Sequence, residues 1–306
     1  MKADILDMTG RKVKSIELPK QFSEEFRPDL IKRAFLVVRS NKRQPYGAKK
    51  DAGMRYSSKL SRRRKKYKGA YGKGISRVPR KILTRRGSQF HWVGATMPGT
   101  VGGRKAHPPK PEKIFSQKIN IKERRKAIRS AISACVLNEI VKKRGHKVEN
   151  VPVILESKFQ NLDKTRDVLN ILNKIGLKDE MKRVSVRKVR AGRGKLRGRK
   201  YKKKVGPLLV VSEKCLLMDS SKNIPGVEAV KVKDLNVELL APGSDPGRLC
   251  IWSDKAIEIL QKDNLFFENE SKLKKVVEKL GKKEIKKKIV KKELKKGEIK
   301  GDKESK

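Results

Sequence analysis

Long apolar runs are missing from this sequence. No stretch of about 20 residues is apolar enough for a membrane-spanning helix. The opening residues, Met1-Lys2-Ala3-Asp4-Ile5, carry no apolar signal segment. A membrane is therefore not expected as a partner. Cysteine is scarce: Cys135, Cys215 and Cys250 are odd in number, far apart, and form no Cys-x-x-Cys pair. The three histidines, His91, His107 and His146, do not stand at metal-ligand spacing beside them. Buried free thiols in a reducing compartment follow, which points to the cytoplasm, with no metal or other cofactor expected.

Sequence signatures of catalysis are absent as well. No Gly-x-Gly-x-x-Gly joins a first strand to a helix with an acid downstream, and Gly192-x-Gly194 sits in a basic loop ahead of a strand. Gly94-Ala95-Thr96-Met97-Pro98-Gly99 has phosphate-loop spacing, but Thr100 stands where the lysine must be. His91 and His107 have no nucleophile or carboxylate beside them. Asp245, within Gly243-Ser244-Asp245-Pro246-Gly247, reads as a turn former. An enzyme is not expected.

Negative charge is also in short supply. The 306 residues hold 82 Lys and Arg against 33 Asp and Glu, a formal net charge of +49. Hydrophobic residues make up 36% and charged residues 38%, against typical values of roughly 45–50% and about 25%. Part of the chain cannot be burying itself in a core. Such a charge repels itself unless a polyanion neutralises it. Nucleic acid fits best, because Lys and Arg at phosphates release counterions and gain affinity without reading sequence.

The charge is uneven. From Lys42 to Lys113 there are 22 Lys and Arg and two acids, Asp51 and Glu112. The stretch is rich in Gly and Pro, poor in Leu, Ile and Val, and holds Tyr46, Tyr56, Tyr67 and Tyr71 with Phe90 and Trp92. A long loop with this composition is functional or disordered, and a plain disordered linker lacks aromatics. Cations interleaved with rings suit RNA: cations meet phosphates, rings stack on exposed bases, and glycines allow close backbone approach. The expected cationic contacts are Arg43, Arg55, Arg62, Arg63, Arg64, Lys65, Lys73, Arg77, Arg80, Arg85, Arg86 and Arg104. Tyr46, Tyr67, Tyr71, Trp92 and His107 join them. The alternative is a solvated, tail-like basic segment.

A second basic block, Arg187 to Lys204, contains no acid. Its expected contacts are Arg190, Arg193, Lys195, Arg197, Arg199, Lys200 and Tyr201. Pro207-Leu208-Leu209-Val210-Val211 follows and reads as a buried strand, so this loop is anchored at its base. From about Asn269 lysine dominates; Leu273, Val277 and Leu280 stand at helical spacing, and the segment is either a solvated extension or a contacting helix.

The remainder alternates. Lys2 to Asp7 and Lys12 to Glu17 form a hairpin, and a helix opens at Arg27-Pro28-Asp29 and runs to about Asn41. Asn120-Ile121-Lys122-Glu123 resembles a capping box. The stripe of Ile128, Ala131, Ile132, Cys135 and Val136 behind it predicts one helix ending near Gly145. A strand at Val151 to Leu155, a helix from about Asp163 closed by Gly176, a strand near Val227 to Lys231, and a helix from Ser253 to about Lys262 follow. The alternation argues for an α/β body with a mainly parallel sheet and helices on its faces. The expected organisation is a single domain over residues 1–268, interrupted by the basic loop 42–113, with a Lys-rich extension over 269–306.

Four strings carry a family resemblance. Ala191-Gly192-Arg193-Gly194-Lys195-Leu196-Arg197-Gly198-Arg199-Lys200-Tyr201, with Gly206-Pro207-Leu208-Leu209-Val210-Val211 after it, resembles the signature block of large-subunit ribosomal protein four in its archaeal and eukaryotic form. Leu240-Ala241-Pro242-Gly243-Ser244-Asp245-Pro246-Gly247-Arg248-Leu249-Cys250-Ile251-Trp252 is similar to a second block of that family. Arg39-Ser40-Asn41-Lys42-Arg43-Gln44-Pro45-Tyr46-Gly47 and Arg104-Lys105-Ala106-His107-Pro108-Pro109-Lys110 resemble the two ends of its extended loop. The likeness covers roughly Met1 to Lys262, and the Lys-rich end departs from it. It implies a Rossmann-like three-layer α/β body on the large subunit and a loop that penetrates ribosomal RNA. That loop would line the peptide exit tunnel near a constriction shared with large-subunit ribosomal protein twenty-two, and meet the nascent peptide in passing. Gly69 to Arg80 resembles the loop's tip, which implies Lys73, Arg77 and Arg80 near the tunnel wall. A chromatin-like polyanion binder would leave the blocks around Ala191 and Ala241 without a reason. An RNA-modifying enzyme lacks its catalytic constellation.

Overall fold

The computed structural model describes residues 1–66, 69–87 and 89–267. Tyr67 and the Lys-rich segment with Leu273, Val277 and Leu280 lie outside them. The chain divides into two compact units, one made of Met1–Arg39 with the chain from Lys118 onward, the other of Ser40–Gln117. In order, the elements begin with β1 (Lys2–Leu6), β2 (Lys12–Glu17) and α1 (Pro28–Asn41). Then come β3 (Arg80–Arg86), β4 (Gln89–Gly94), α2 (Ile121–Ala134), α3 (Asn138–Lys143) and β5 (Val153–Leu155). They continue with α4 (Thr165–Leu172), α5 (Lys178–Ser185), β6 (Lys188–Val189), β7 (Tyr201–Lys202) and β8 (Leu208–Val211). The last are α6 (Leu216–Ser220), β9 (Glu228–Lys231), α7 (Val237–Leu240), β10 (Cys250–Ser253) and α8 (Asp254–Lys262).

The first unit is a mixed α/β body around a six-stranded sheet of order β2-β1-β5-β10-β8-β9. Only the β1–β2 hairpin is antiparallel; the other pairings are parallel. Side chains of a strand alternate between faces, and here both faces are apolar. Ile154, Leu208, Val210, Cys250 and Trp252 enter one cluster, with Ile31 of α1, Ile132 of α2, Leu240 of α7 and Ile257 of α8. Val153, Leu155, Leu209, Val211 and Ile251 enter the other, with Val141 of α3, Val168 of α4 and Leu217 of α6. Strands buried on both sides read as continuous apolar runs, which is why Leu208–Val211 was legible. Each buried Val, Leu or Ile among those side chains contributes about 1.5–3 kcal/mol.

Two expectations change in detail. The single helix predicted to end near Gly145 is two, α2 and α3, separated at Cys135–Leu137. Cys135 and Val136 belong to the first cluster and Val141 to the second, and one straight helix cannot serve both faces of the sheet. Asn120 does hold the N-cap position of α2, but its side chain makes no capping bond. Ser253 does cap α8, its hydroxyl accepting from the Ala256 amide at 3.2 Å.

The block 240–252 has a structural reason for its pattern. Gly247 has φ +85°, and a Cβ there would stand 2.7 Å from Ile140 Cγ2. Arg248 is only 2% exposed and donates to the carbonyls of Gly206 (2.9 Å) and Leu239 (3.0 Å) and to Glu228 (2.6 Å).

Candidate nucleic-acid interface

In the Ser40–Gln117 unit the side chains cannot neutralise one another, because 22 cations face Asp51 and Glu112 between Lys42 and Lys113. A core is nearly absent too: among the described residues of this unit, Ala70 and Ala95 are the only buried apolar ones. Ring contacts and backbone hydrogen bonds hold it. At its two ends Tyr46 lies flat against Phe115, ring centres 5.9 Å apart and planes within 7°. Arg43 covers the Phe115 ring at 4.1 Å. The Gln117 amide donates to Asn41 Oδ1 at 2.8 Å, and the Ser40 hydroxyl donates to the Phe115 carbonyl. The Ala48 amide donates to the Pro109 carbonyl at 3.1 Å. Glycine is required at position 47, where a Cβ would stand 2.6 Å from Pro111 Cδ. Tyr46 and His107 share an open cleft with Pro108, Pro109, Lys110 and Phe115.

The middle of the unit contains the β3–β4 hairpin, paired from Arg80↔Gly94 to Arg86↔Gln89 with an irregularity between Ile82 and Thr84. Trp92 meets the edge of Phe90 at 5.2 Å, and Arg80 lies 4.9 Å from the Trp92 ring centre. Lys81 stands over Tyr56 at 3.7 Å and Arg77 beside Tyr71 at 4.9 Å. Each such pair at an exposed site contributes about 0.5–1 kcal/mol. Tyr46, Tyr71 and Trp92 are thus engaged inside the unit, by Phe115, Arg77 and Arg80. The three tip cations differ accordingly. Lys73 is exposed between Gly72 and Gly74, both at positive φ in open space. Arg77 is exposed but leans on Tyr71, and Arg80 also donates to the carbonyls of Ser76 and Val78.

Arg62, Arg63, Arg64, Lys65, Lys73, Arg86 and Arg104 are exposed, and none joins an ion pair among the described residues. Arg55 and Arg85 are exposed and donate to the carbonyls of Lys50 (3.2 Å) and Gly87 (3.2 Å).

The second basic block belongs to the first unit and forms a small hairpin, β6–β7. Lys188 pairs with Lys202, and Val189 with Tyr201. The Arg190 amide donates to the Lys200 carbonyl at 2.7 Å, and Arg190 Nε to the Arg199 carbonyl at 3.1 Å. A short turn at Lys195–Arg197 is closed by Gly198 at φ +75°. Arg193, Lys195, Arg197, Arg199 and Lys200 are exposed. At the root, Arg183 Nη2 donates to the Val205 carbonyl at 2.7 Å and to Glu180 at 2.6 Å. Glu180 is fully buried and also accepts from the Lys147 amide (3.0 Å) and His146 Nδ1 (2.7 Å).

Sequence reasoning did not single out Lys81, Phe115, Lys188 or Lys202. Phe115 could have been noticed as an aromatic just beyond the basic run. The Lys188–Lys202 pair exists only once the hairpin register is known. Among the described residues no group of His, Cys, Asp and Glu could hold a metal, and no helix is long and apolar enough to cross a membrane.

Residues 16–263 match the model of the "Ribosomal protein L4/L1 family". The chain is similar to "Large ribosomal subunit protein uL4" of Nanoarchaeum equitans, 48% identical over 269 residues, 87% of this chain and all of that protein. It is also similar to the proteins of the same name from Archaeoglobus fulgidus (46% over 262 residues, 85% and 98%) and Methanocaldococcus jannaschii (45% over 269 residues, 85% and 98%).

Proposed function

The chain belongs to the ribosomal protein L4/L1 family, a family of structural ribosomal proteins rather than enzymes, and from that premise we propose that it is a structural constituent of the large ribosomal subunit that binds large-subunit ribosomal RNA. The observation that carries this reading is the combination found in Ser40–Gln117. With two buried apolar side chains among its described residues, and Arg62, Arg63, Arg64, Lys65, Lys73, Arg86 and Arg104 exposed and outside any ion pair among them, the unit has too little burial to offset the entropy of ordering. A polyanion supplies what is missing. Arg62–Lys66 and the β6–β7 hairpin meet phosphates in this reading.

The body is read as a Rossmann-like three-layer domain over residues 1–268, interrupted by the basic loop 42–113 and followed by a Lys-rich extension over 269–306. The loop lines the peptide exit tunnel near its constriction, with Lys73, Arg77 and Arg80 toward the wall. Its neighbours there are large-subunit ribosomal protein twenty-two and, transiently, the nascent peptide. The protein works in the cytoplasm as part of the ribosome.

The test is sedimentation of the tagged protein from gently lysed cells, followed by a salt wash. Surface-bound cationic proteins with 6–10 phosphate contacts lose about 10³–10⁵ in affinity between 50 and 200 mM salt. Near-stoichiometric retention on large subunits is expected. Release into light fractions, or migration with DNA, would overturn the reading.

A further inference from the structure

The β6–β7 hairpin carries chemistry on both faces of a two-stranded ribbon. Directly opposed residues of an antiparallel pair project to the same face. Lys188 with Lys202 therefore makes one face cationic, while Val189 with Tyr201 makes the other apolar. The apolar face is largely exposed: Val189 is 60% exposed, Tyr201 47%, and Leu196 at the tip 82%, and the one cation at the Tyr201 ring among the described residues, Lys200, stands 5.5 Å from its centre, where a stacking base would displace it. Like charges directly opposed destabilise a pair, so Lys188 and Lys202 call for an anion beside them. No acid occurs from Arg187 to Lys204, and neither lysine joins an ion pair among the described residues, so a polyanion with an apolar surface of its own would suit both faces.

Resting on the RNA-binding reading above, we propose that this hairpin is an insertion wedge for an unpaired nucleotide: a nucleobase stacks on the Val189–Tyr201 face while phosphates of the surrounding RNA bind the Lys188–Lys202 face. A regular RNA duplex is recognised by shape and backbone, whereas unstacked bases in bulges and loops are available for stacking on aromatic rings. A ribbon dressed on both faces needs RNA on both sides, which a bulge or junction provides and a smooth duplex does not. The Arg190 amide and guanidinium bonds to the Lys200 and Arg199 carbonyls join the strands next to the Val189–Tyr201 pair. Gly192 and Gly198, at φ +78° and +75° with open space around them, turn the tip without side-chain bulk.

The experiment uses the full chain and two RNA probes. One is a stem–loop with a three-nucleotide purine bulge carrying 2-aminopurine; the other is the same stem fully paired. Base–aromatic stacking lost on Tyr201→Ala should weaken the bulged probe roughly tenfold and leave the paired one unchanged. The 2-aminopurine quench should vanish with it. Lys188→Gln with Lys202→Gln should weaken both probes, reduce the salt slope and keep the quench. Equal affinity of the unaltered protein for both probes, or a quench that survives Tyr201→Ala, overturns the wedge. Failure to bind either probe instead overturns the RNA-binding reading beneath it. A photo-crosslinker at position 189 that captures protein rather than RNA in the assembled subunit also sinks the proposal, assigning the face to a protein neighbour.

Discussion

Glu180 and His146 show how one buried pair sets acid sensitivity. Burial alone pushes the Glu180 carboxyl up, but the hydrogen bonds from Arg183 and His146 and the Lys147 amide outweigh it and hold it at about 2, below its ordinary 4.5. Burial, the largest influence, also keeps His146 below its ordinary 6.5, against the pull of Glu180. A neutral imidazole donating its Nδ1–H to the carboxylate satisfies both. Both folded-state values lie below the unfolded ones, so the unfolded chain takes up more protons as pH falls. The stability from this pair is complete above the ordinary histidine range. It should fall first as pH drops through that range, and again from about 4.5 toward about 2. Urea midpoints measured from neutral to acid pH check this. Glu180→Gln should remove the acid-side part of the slope, and an unaltered slope in that variant would assign it to other groups. Because Arg183 also holds the Val205 carbonyl, the same loss should loosen the root of the β6–β7 hairpin.

At the scale of single elements, two helix starts that look alike in sequence behave differently. Ser253 caps α8 and also accepts from Gln160 Nε2 at 2.6 Å, whose Oε1 accepts from Ser212 at 2.8 Å. Ser253→Ala removes a cap and strands a buried amide, and should cost about 2 kcal/mol or more. Asn120→Ala removes a residue whose side chain caps nothing, and should change stability by less than about 0.5 kcal/mol. Denaturant unfolding of the two variants side by side decides the matter; similar losses would mean that Asn120 does cap α2 in solution. The strand feeding α8 makes the complementary point. β10 lies between β5 and β8 in the sheet, with Trp252 edge-on to Phe22 at 5.0 Å. Its first three residues were legible as the end of a family motif and not as a strand, since Cys250-Ile251-Trp252 lacks the unbroken run of branched aliphatic residues that marks Leu208–Val211.

For the whole molecule, a charge of +49 divides the work between its parts. The α/β body contains two apolar clusters and can be stable by burial. The Ser40–Gln117 unit has cation–ring pairs in place of a core, and these are worth little singly. In the free protein, trypsin should therefore cut first between Arg55 and Arg86, and this region should be protected in the assembled particle. Equal cleavage in both states would remove the threading of the loop from the proposed function.

Much of this protein was already determined by local sequence. The starts of α1 and α8, the apolar stripe of α2, the apolar run of β8, the β1–β2 hairpin and the two basic blocks depend on neighbours a few residues apart. Local patterns report such features directly. The strand order, the break between α2 and α3, and the burial of Arg248 and Glu180 depend on residues far away in the chain. So do the β3–β4 hairpin and the Lys188–Lys202 pairing. In β3–β4 the alternation of Phe90, Trp92 and their partners was masked by the surrounding cations. Tertiary structure decided which rings of the basic loop are engaged by their own cations and which side chains remain outward. The physical reason is that a cation finds the nearest ring or carbonyl the fold brings to it, and that neighbour is set by packing rather than by sequence distance.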